Sequence, residues 1–142
     1  MVSLNGPRWL ALVAGGLYCY NWAAANPDKV ACIYGDAPVC DLKSWPVGKG
    51  KGTGNANEIP KLLKDYGAAN ETELLWKAIN PIDQLEQLAK AKVPILHVYG
   101  DADEGVHWDE NTGILSDRYR TLGGDITLIA KPGMAELFLD FD

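Results

Sequence analysis

Leu10-Ala11-Leu12-Val13-Ala14-Gly15-Gly16-Leu17-Tyr18-Cys19-Tyr20-Asn21-Trp22-Ala23-Ala24-Ala25 opens as a short apolar strand, turns on small residues and continues as a helix. Asn26-Pro27-Asp28-Lys29 stops that helix, and Val30-Ala31-Cys32-Ile33-Tyr34 starts a second apolar strand. Strand, tight turn, helix, strand is a βαβ unit. Its crossover returns the chain to the same end of the sheet, so the two strands pair in parallel.

The same alternation extends through the rest of the chain. Runs at about 8–13, 30–35, 93–99 and 125–130 are rich in Val, Ile and Leu with little alternation, the pattern of strands covered on both faces. Helices are predicted at 16–25, 57–66, 71–79, 83–90 and 109–122. Pro81 separates the third from the fourth, Asp83 reads as a cap for the fourth, and Gly123-Gly124 stops the last. The fold class is α/β: a mostly parallel sheet of about four strands flanked by helices. Residues 1–142 read as a single domain, with a flexible Gly/Lys loop at about 47–56 and a helical insertion at about 57–90. The loop Gly48-Lys49-Gly50-Lys51-Gly52-Thr53-Gly54 lacks the G-x-x-x-x-G-K-[ST] pattern of a phosphate cradle and follows no predicted strand directly.

Composition narrows the function classes. The chain has 142 residues, 47% hydrophobic and 23% charged, as ordinary globular domains do. Its net charge is −6 and it has no basic cluster, which argues against nucleic acid and anionic membranes as partners. The apolar run Trp9–Val13 is too short to span a bilayer. Cys19, Cys32 and Cys40 are odd in number and lack metal or disulfide spacing, the pattern of a reduced, cytoplasmic chain.

Four segments carry a resemblance. Ala14-Gly15-Gly16 before a small-residue helix is similar to the turn on which α/β-hydrolases raise a nucleophilic serine, written G-x-S-x-G. Asn26-Pro27-Asp28-Lys29-Val30 is similar to the following helix end. Val93-Pro94-Ile95-Leu96-His97-Val98-Tyr99-Gly100-Asp101-Ala102-Asp103 resembles the strand that carries the family's acid. Asp125-Ile126-Thr127-Leu128-Ile129-Ala130-Lys131-Pro132-Gly133 resembles the last strand, after which the catalytic histidine comes. The chain thus resembles the carboxyl-terminal half of an α/β-hydrolase of the esterase and prolyl-oligopeptidase-like type, a truncated form of that fold. Two of the family's groups are missing from their places. Aligned on the glycines, the nucleophile position holds Val13, and no histidine follows Gly133.

The resemblance implies a set of site residues. Asp103 falls on the acid, and the backbone amide of Ala14 falls on one oxyanion donor. His107 lies four residues beyond Asp103, where Asp103 or Glu104 could orient it as a base; the alternative for it is a solvated loop side chain. His97, inside a strand, reads as structural. Cys19 sits on the first turns of a helix, where a thiol can be activated, but no histidine adjoins it in sequence, so it reads as packing. Asp101, Asp103, Glu104, Asp109 and Glu110 gather carboxylates without the regular alternation of a calcium loop. No metal or cofactor is expected, and Trp45 and Trp108 are candidates to line a cleft.

Two functions follow as expectations. One is a weak carboxylic-ester hydrolase with a non-standard site, His107 and Asp103 activating water on a small acyl substrate. The alternative is a catalytically inactive hydrolase-fold protein that serves as a binding or interaction module. With nothing but 1–7 before the strand near 8–13, that strand's outer edge is apolar and open, so homo-oligomerisation through it is expected.

Overall fold

The computed structural model describes residues 8–12, 15–77 and 80–135, the first of these segments by its backbone alone. Four parallel strands run in sheet order β1-β2-β3-β4: β1 Arg8–Leu12, β2 Cys32–Asp36, β3 Ile95–Gly100 and β4 Ile126–Lys131. Each starts and ends within two residues of its predicted run. Helix α1, Gly15–Ala25, joins β1 to β2. The long connection to β3 carries α2 Ile59–Tyr66, α3 Glu71–Lys77 and α4 Glu86–Lys90, and α5 Ile114–Thr121 joins β3 to β4.

Register builds the core in layers. Ile33, Ile95 and Ile126 stand side by side across β2, β3 and β4, followed by Gly35, His97 and Leu128. The isoleucine layer packs with Tyr20 and Ala23 of α1, Leu88 of α4, and Leu115 and Tyr119 of α5. Each fully buried isoleucine contributes about 1.5–3 kcal/mol. Tyr119 anchors α5 by donating its hydroxyl hydrogen to the Val93 carbonyl at 2.6 Å. A second apolar cluster, Leu17, Val39, Leu42, Leu62, Leu74 and Val106, ties α1, α2 and α3 to the loops that leave β2 and β3.

The opposite parity of the sheet is less covered. Tyr34 and Leu96 are half-buried, Thr127 is exposed, and Ile129 is 41% exposed. The run at 125–130 reads in sequence as a strand covered on both faces, yet β4 alternates. It pairs with β3 alone among the described residues, and Thr127 and Ile129 are exposed.

Two helix boundaries also differ from expectation. Asp83 does not cap α4. Pro81–Asp83 forms a separate 3-10 turn, and the Asp83 carboxylate accepts from the Arg118 guanidinium at 2.7 Å, which also donates to the Ile82 carbonyl. The predicted 109–122 helix begins as a π-helical turn, Asp109–Gly113, in which the Gly113 amide donates to the Trp108 carbonyl at 2.7 Å. Such turns fit one extra residue into a helix and re-aim its side chains. By contrast, α3 starts as its sequence suggests. The Asn70 side chain accepts the Glu73 amide at 2.9 Å, while the Glu73 carboxylate reaches back to the Ala69 amide at 2.8 Å.

Gly35, at the centre of the sheet, leaves no room for a side chain. A Cβ there would lie 2.7 Å from His97 Cδ2 and 2.8 Å from Pro38 Cγ. Gly35→Ala is expected to lower unfolding stability by about 1–3 kcal/mol through overpacking. Chemical denaturation measures this, and a loss near zero contradicts the close approach.

Candidate functional site

The loops that leave the carboxyl ends of β2, β3 and β4 converge, and the candidate residues sit on them. Asp103, 7% exposed, turns its carboxylate back on its own loop: Oδ1 accepts the amides of Gly105 and Val106, each at 2.9 Å. Asp101 reaches across to the loop after β4, accepting the Gly133 amide at 2.7 Å, and the Ala102 amide donates to the Met134 carbonyl at 3.1 Å. The loops after β3 and β4 are therefore joined at two points.

His107 does not pair with Asp103. Its Nδ1 lies 3.7 Å from Asp109 Oδ1, and the side chain is 29% exposed. Asp109 is shared: its Oδ2 also meets the Lys51 ammonium, and that contact is the main reason its carboxyl is held below the usual range, with His107 adding to it. The neighbouring Trp108 stacks on Tyr99, ring centroids 5.0 Å apart and 22° between planes. Trp45 lines a different recess, of about 200 Å³, with Leu17, Tyr18, Glu58, Lys61, Leu62 and Asp65 between α1 and α2.

Asn111, buried in the π-helical turn, joins the loops after β2 and β3. Its Oδ1 accepts the amides of Cys40 and Asp41 at 2.8 and 3.1 Å; its Nδ2 donates to Ser44 Oγ at 3.0 Å and to the His107 carbonyl at 2.9 Å. Ser44, buried, passes its own hydroxyl hydrogen to Glu110 Oε2 at 2.8 Å. The other Glu110 oxygen accepts the Lys51 amide at 2.7 Å, which fastens the Gly/Lys loop to the same turn. That loop lies close enough to require glycine: a Cβ on Gly52 would sit 2.6 Å from the Gly105 carbonyl oxygen. Sequence reading missed Asn111 and Ser44, because neither sits in a motif and their partners lie far along the chain. Of the gathered carboxylates, Asp101 and Asp103 bind separate backbone amides, while Asp109 and Glu110 both hold Lys51, one through its ammonium and one through its amide. No group of three metal-ligating side chains forms among the described residues.

Two buried titratable groups flank the site. His97 is fully buried, with Nε2 2.8 Å from the Tyr20 hydroxyl and Nδ1 2.9 Å from Thr112 Oγ1. Burial lowers its pKa to about 3, so it is neutral at pH 7. Asp36, 1% exposed at the end of β2, has no hydrogen-bond partner for either carboxylate oxygen among the described residues. Burial raises its pKa. The residue after it, Ala37, has φ 44°, a left-handed conformation uncommon for alanine.

This arrangement of strands has counterparts among solved structures. A puromycin-hydrolysing peptidase of Mycobacterium tuberculosis matches with TM-score 0.71 at 17% identity, over 92% of this chain and 18% of that one. A monoacylglycerol lipase of Paleococcus ferrophilus matches with TM-score 0.61 at 16% identity, over 95% of this chain and 62% of the lipase. An acylaminoacyl peptidase matches with TM-score 0.63 at 16% identity, over 94% and 20%. The chain has the α/β-hydrolase fold. It spans under a fifth of the first peptidase and about three-fifths of the lipase. No family model matches the sequence, and no curated protein is similar to it.

In this hydrolase-fold chain Asp103 follows β3, the strand that the sequence likens to the acid strand. Val13 and Ala14, assigned to the nucleophile and oxyanion positions, lie outside the described residues.

Asp36 has a testable consequence for stability. Unfolding lets its carboxyl ionise at the ordinary value near 3.9, so as pH rises the unfolded state loses this proton first. Its contribution is intact below about pH 3.9 and is lost as pH rises toward the raised folded value. Asp36→Asn removes that dependence. Thermal unfolding at pH 4 and pH 7 is expected to show the variant gaining on the wild type at the higher pH. An unchanged difference would contradict the burial effect.

Proposed function

We propose that this chain is a hydrolase-fold module that holds a ligand without turning it over. One observation supports the reading above others: the chain has two histidines, and neither makes a hydrogen bond or ion pair with Asp103. His97 is neutral and has both ring nitrogens engaged inside the core. His107 is paired with Asp109, which Lys51 also occupies. Acyl transfer needs a base within reach of a nucleophile and a third group that orients the base. Val13 supplies no nucleophile, so an oxyanion donor at Ala14 would stabilise an intermediate that nothing forms.

The opposing reading is weak ester hydrolysis on small acyl substrates, with His107 as base for water and Asp103 or Asp109 assisting. The half-exposed imidazole beside a carboxylate favours it. A positioned general base is worth about 10²–10⁴-fold. Hydrolysis of p-nitrophenyl acetate separates the two. Binding without turnover predicts a rate equal to the buffer blank, unchanged by His107→Ala or Asp103→Ala. A rate above the blank that falls at least tenfold in His107→Ala would establish the enzyme reading instead.

The proposal extends to self-association and location. β1 hydrogen-bonds only to β2 among the described residues, leaving one edge able to accept a strand from a second copy. Light scattering behind size-exclusion chromatography is expected to give twice the chain mass of 15.4 kDa; a monomer at micromolar concentration refutes association through that edge. A reducing, cytoplasmic setting is proposed with it, supported by the free thiols of Cys32 and Cys40. No described helix is long and apolar enough to cross a membrane.

A further inference from the structure

Two loop lysines and one face of α3 enclose a recess that the reasoning about the hydrolase site does not use. Thr72, Leu75 and Trp76 stand at positions i, i+3 and i+4 of α3, which places them on one side of that helix. Opposite them are Lys43 and Lys49, from the loop that leaves β2. The Lys49 amide donates to the Lys43 carbonyl at 2.8 Å, so the loop brings the two lysines together. The recess is open to solvent on one side and its volume is about 380 Å³, within the range of small-molecule sites.

Two features of this recess run against the rest of the molecule. Trp76 is 86% exposed, the most exposed of the large hydrophobic side chains described. An indole left open to water presents a flat apolar face with no protein atoms across it. The lysines are also out of character for a chain of net charge −6. Lys49 is tied to Glu71 at 3.1 Å, while Lys43 makes no ion pair among the described residues, so the rim keeps an excess positive charge. Thr72 adds a hydroxyl that can donate or accept.

We propose that this recess binds a small aromatic carboxylate. The planar ring lies on the Trp76 indole above Leu75, and the carboxylate meets the ammonium of Lys43, with Lys49 and Thr72 beside it. Each element excludes a simpler ligand. An organic cation would stack on the indole but is repelled by the lysines. Inorganic phosphate meets the lysines but leaves the indole wet. A neutral aromatic covers the indole and leaves the charge unanswered. Both lysines lie on the segment that follows β2 in the chain. Neither turnover nor its absence at Asp103 bears on this site.

Calorimetric titration of the full chain with 2-naphthoate is the test, with 2-naphthamide and inorganic phosphate as companion probes. Saturable binding of 2-naphthoate is expected, at least fivefold tighter than either companion and weakening as salt rises. Trp76→Ala and the double change Lys43→Gln with Lys49→Gln are each expected to weaken it at least fivefold. These side chains are exposed, so the variants are expected to keep the wild-type circular dichroism and melting curve. No saturation by about 10 mM 2-naphthoate overturns the proposal. So does equal binding of 2-naphthamide, or undiminished binding by the folded Trp76→Ala variant.

Discussion

An asparagine amide can accept two hydrogen bonds and donate two, and Asn111 makes all four inside the protein. Its oxygen holds the loop that leaves β2; its nitrogen holds Ser44 and the carbonyl of His107. Ser44 and the His107 backbone are held directly by that junction. Ser44 passes the connection to Glu110, and Glu110 passes it to the Gly/Lys loop. An aspartate here would lose two donors, and an apolar residue of similar size would leave two buried amides without acceptors. The loops after β2 and β3 are therefore joined by one side chain fixed in a π-helical turn.

The sequence displays what is local. Apolar runs bounded by turn residues mark all four strands, although β4 is covered on one face only. The Asn70–Glu73 cap of α3 and the closure at Asp103 are local too, with amide donors two or three residues beyond the side chain that accepts them. What stays hidden depends on distant partners. Asp83 reads as a helix cap until Arg118, 35 residues away, takes it. Asn111 and Ser44 are 67 residues apart, and no motif joins them. His107 looks available to Asp103 by spacing, yet the chain directs it to Asp109. The resemblance to hydrolases is carried by the fold, because a fold rests on many residues and catalysis on three.

Burial treats the two flanking titratable groups differently. His97 loses its charge at no cost in hydrogen bonding, because Tyr20 and Thr112 serve both ring nitrogens. Asp36 loses water and gains nothing among the described residues. A satisfied buried group stiffens its surroundings, whereas an unsatisfied one marks where the structure is under load. Asp36 stands at the end of β2, next to a residue in a left-handed conformation.

The Gly/Lys loop can be viewed as an entropic spring. Glycines lose more freedom on ordering than any other residue, so a segment rich in them pulls toward release. Two of its holds, both at Lys51, differ in kind. One is the amide of Lys51 on Glu110, a short-range hydrogen bond that salt barely weakens. The other is the Lys51 ammonium on Asp109, an exposed ion pair that salt screens. Ionic strength therefore acts on one hold and leaves the other. The balance between order and release in this loop becomes a function of the surrounding medium, and the neighbouring His107–Asp109 pair shares in that balance.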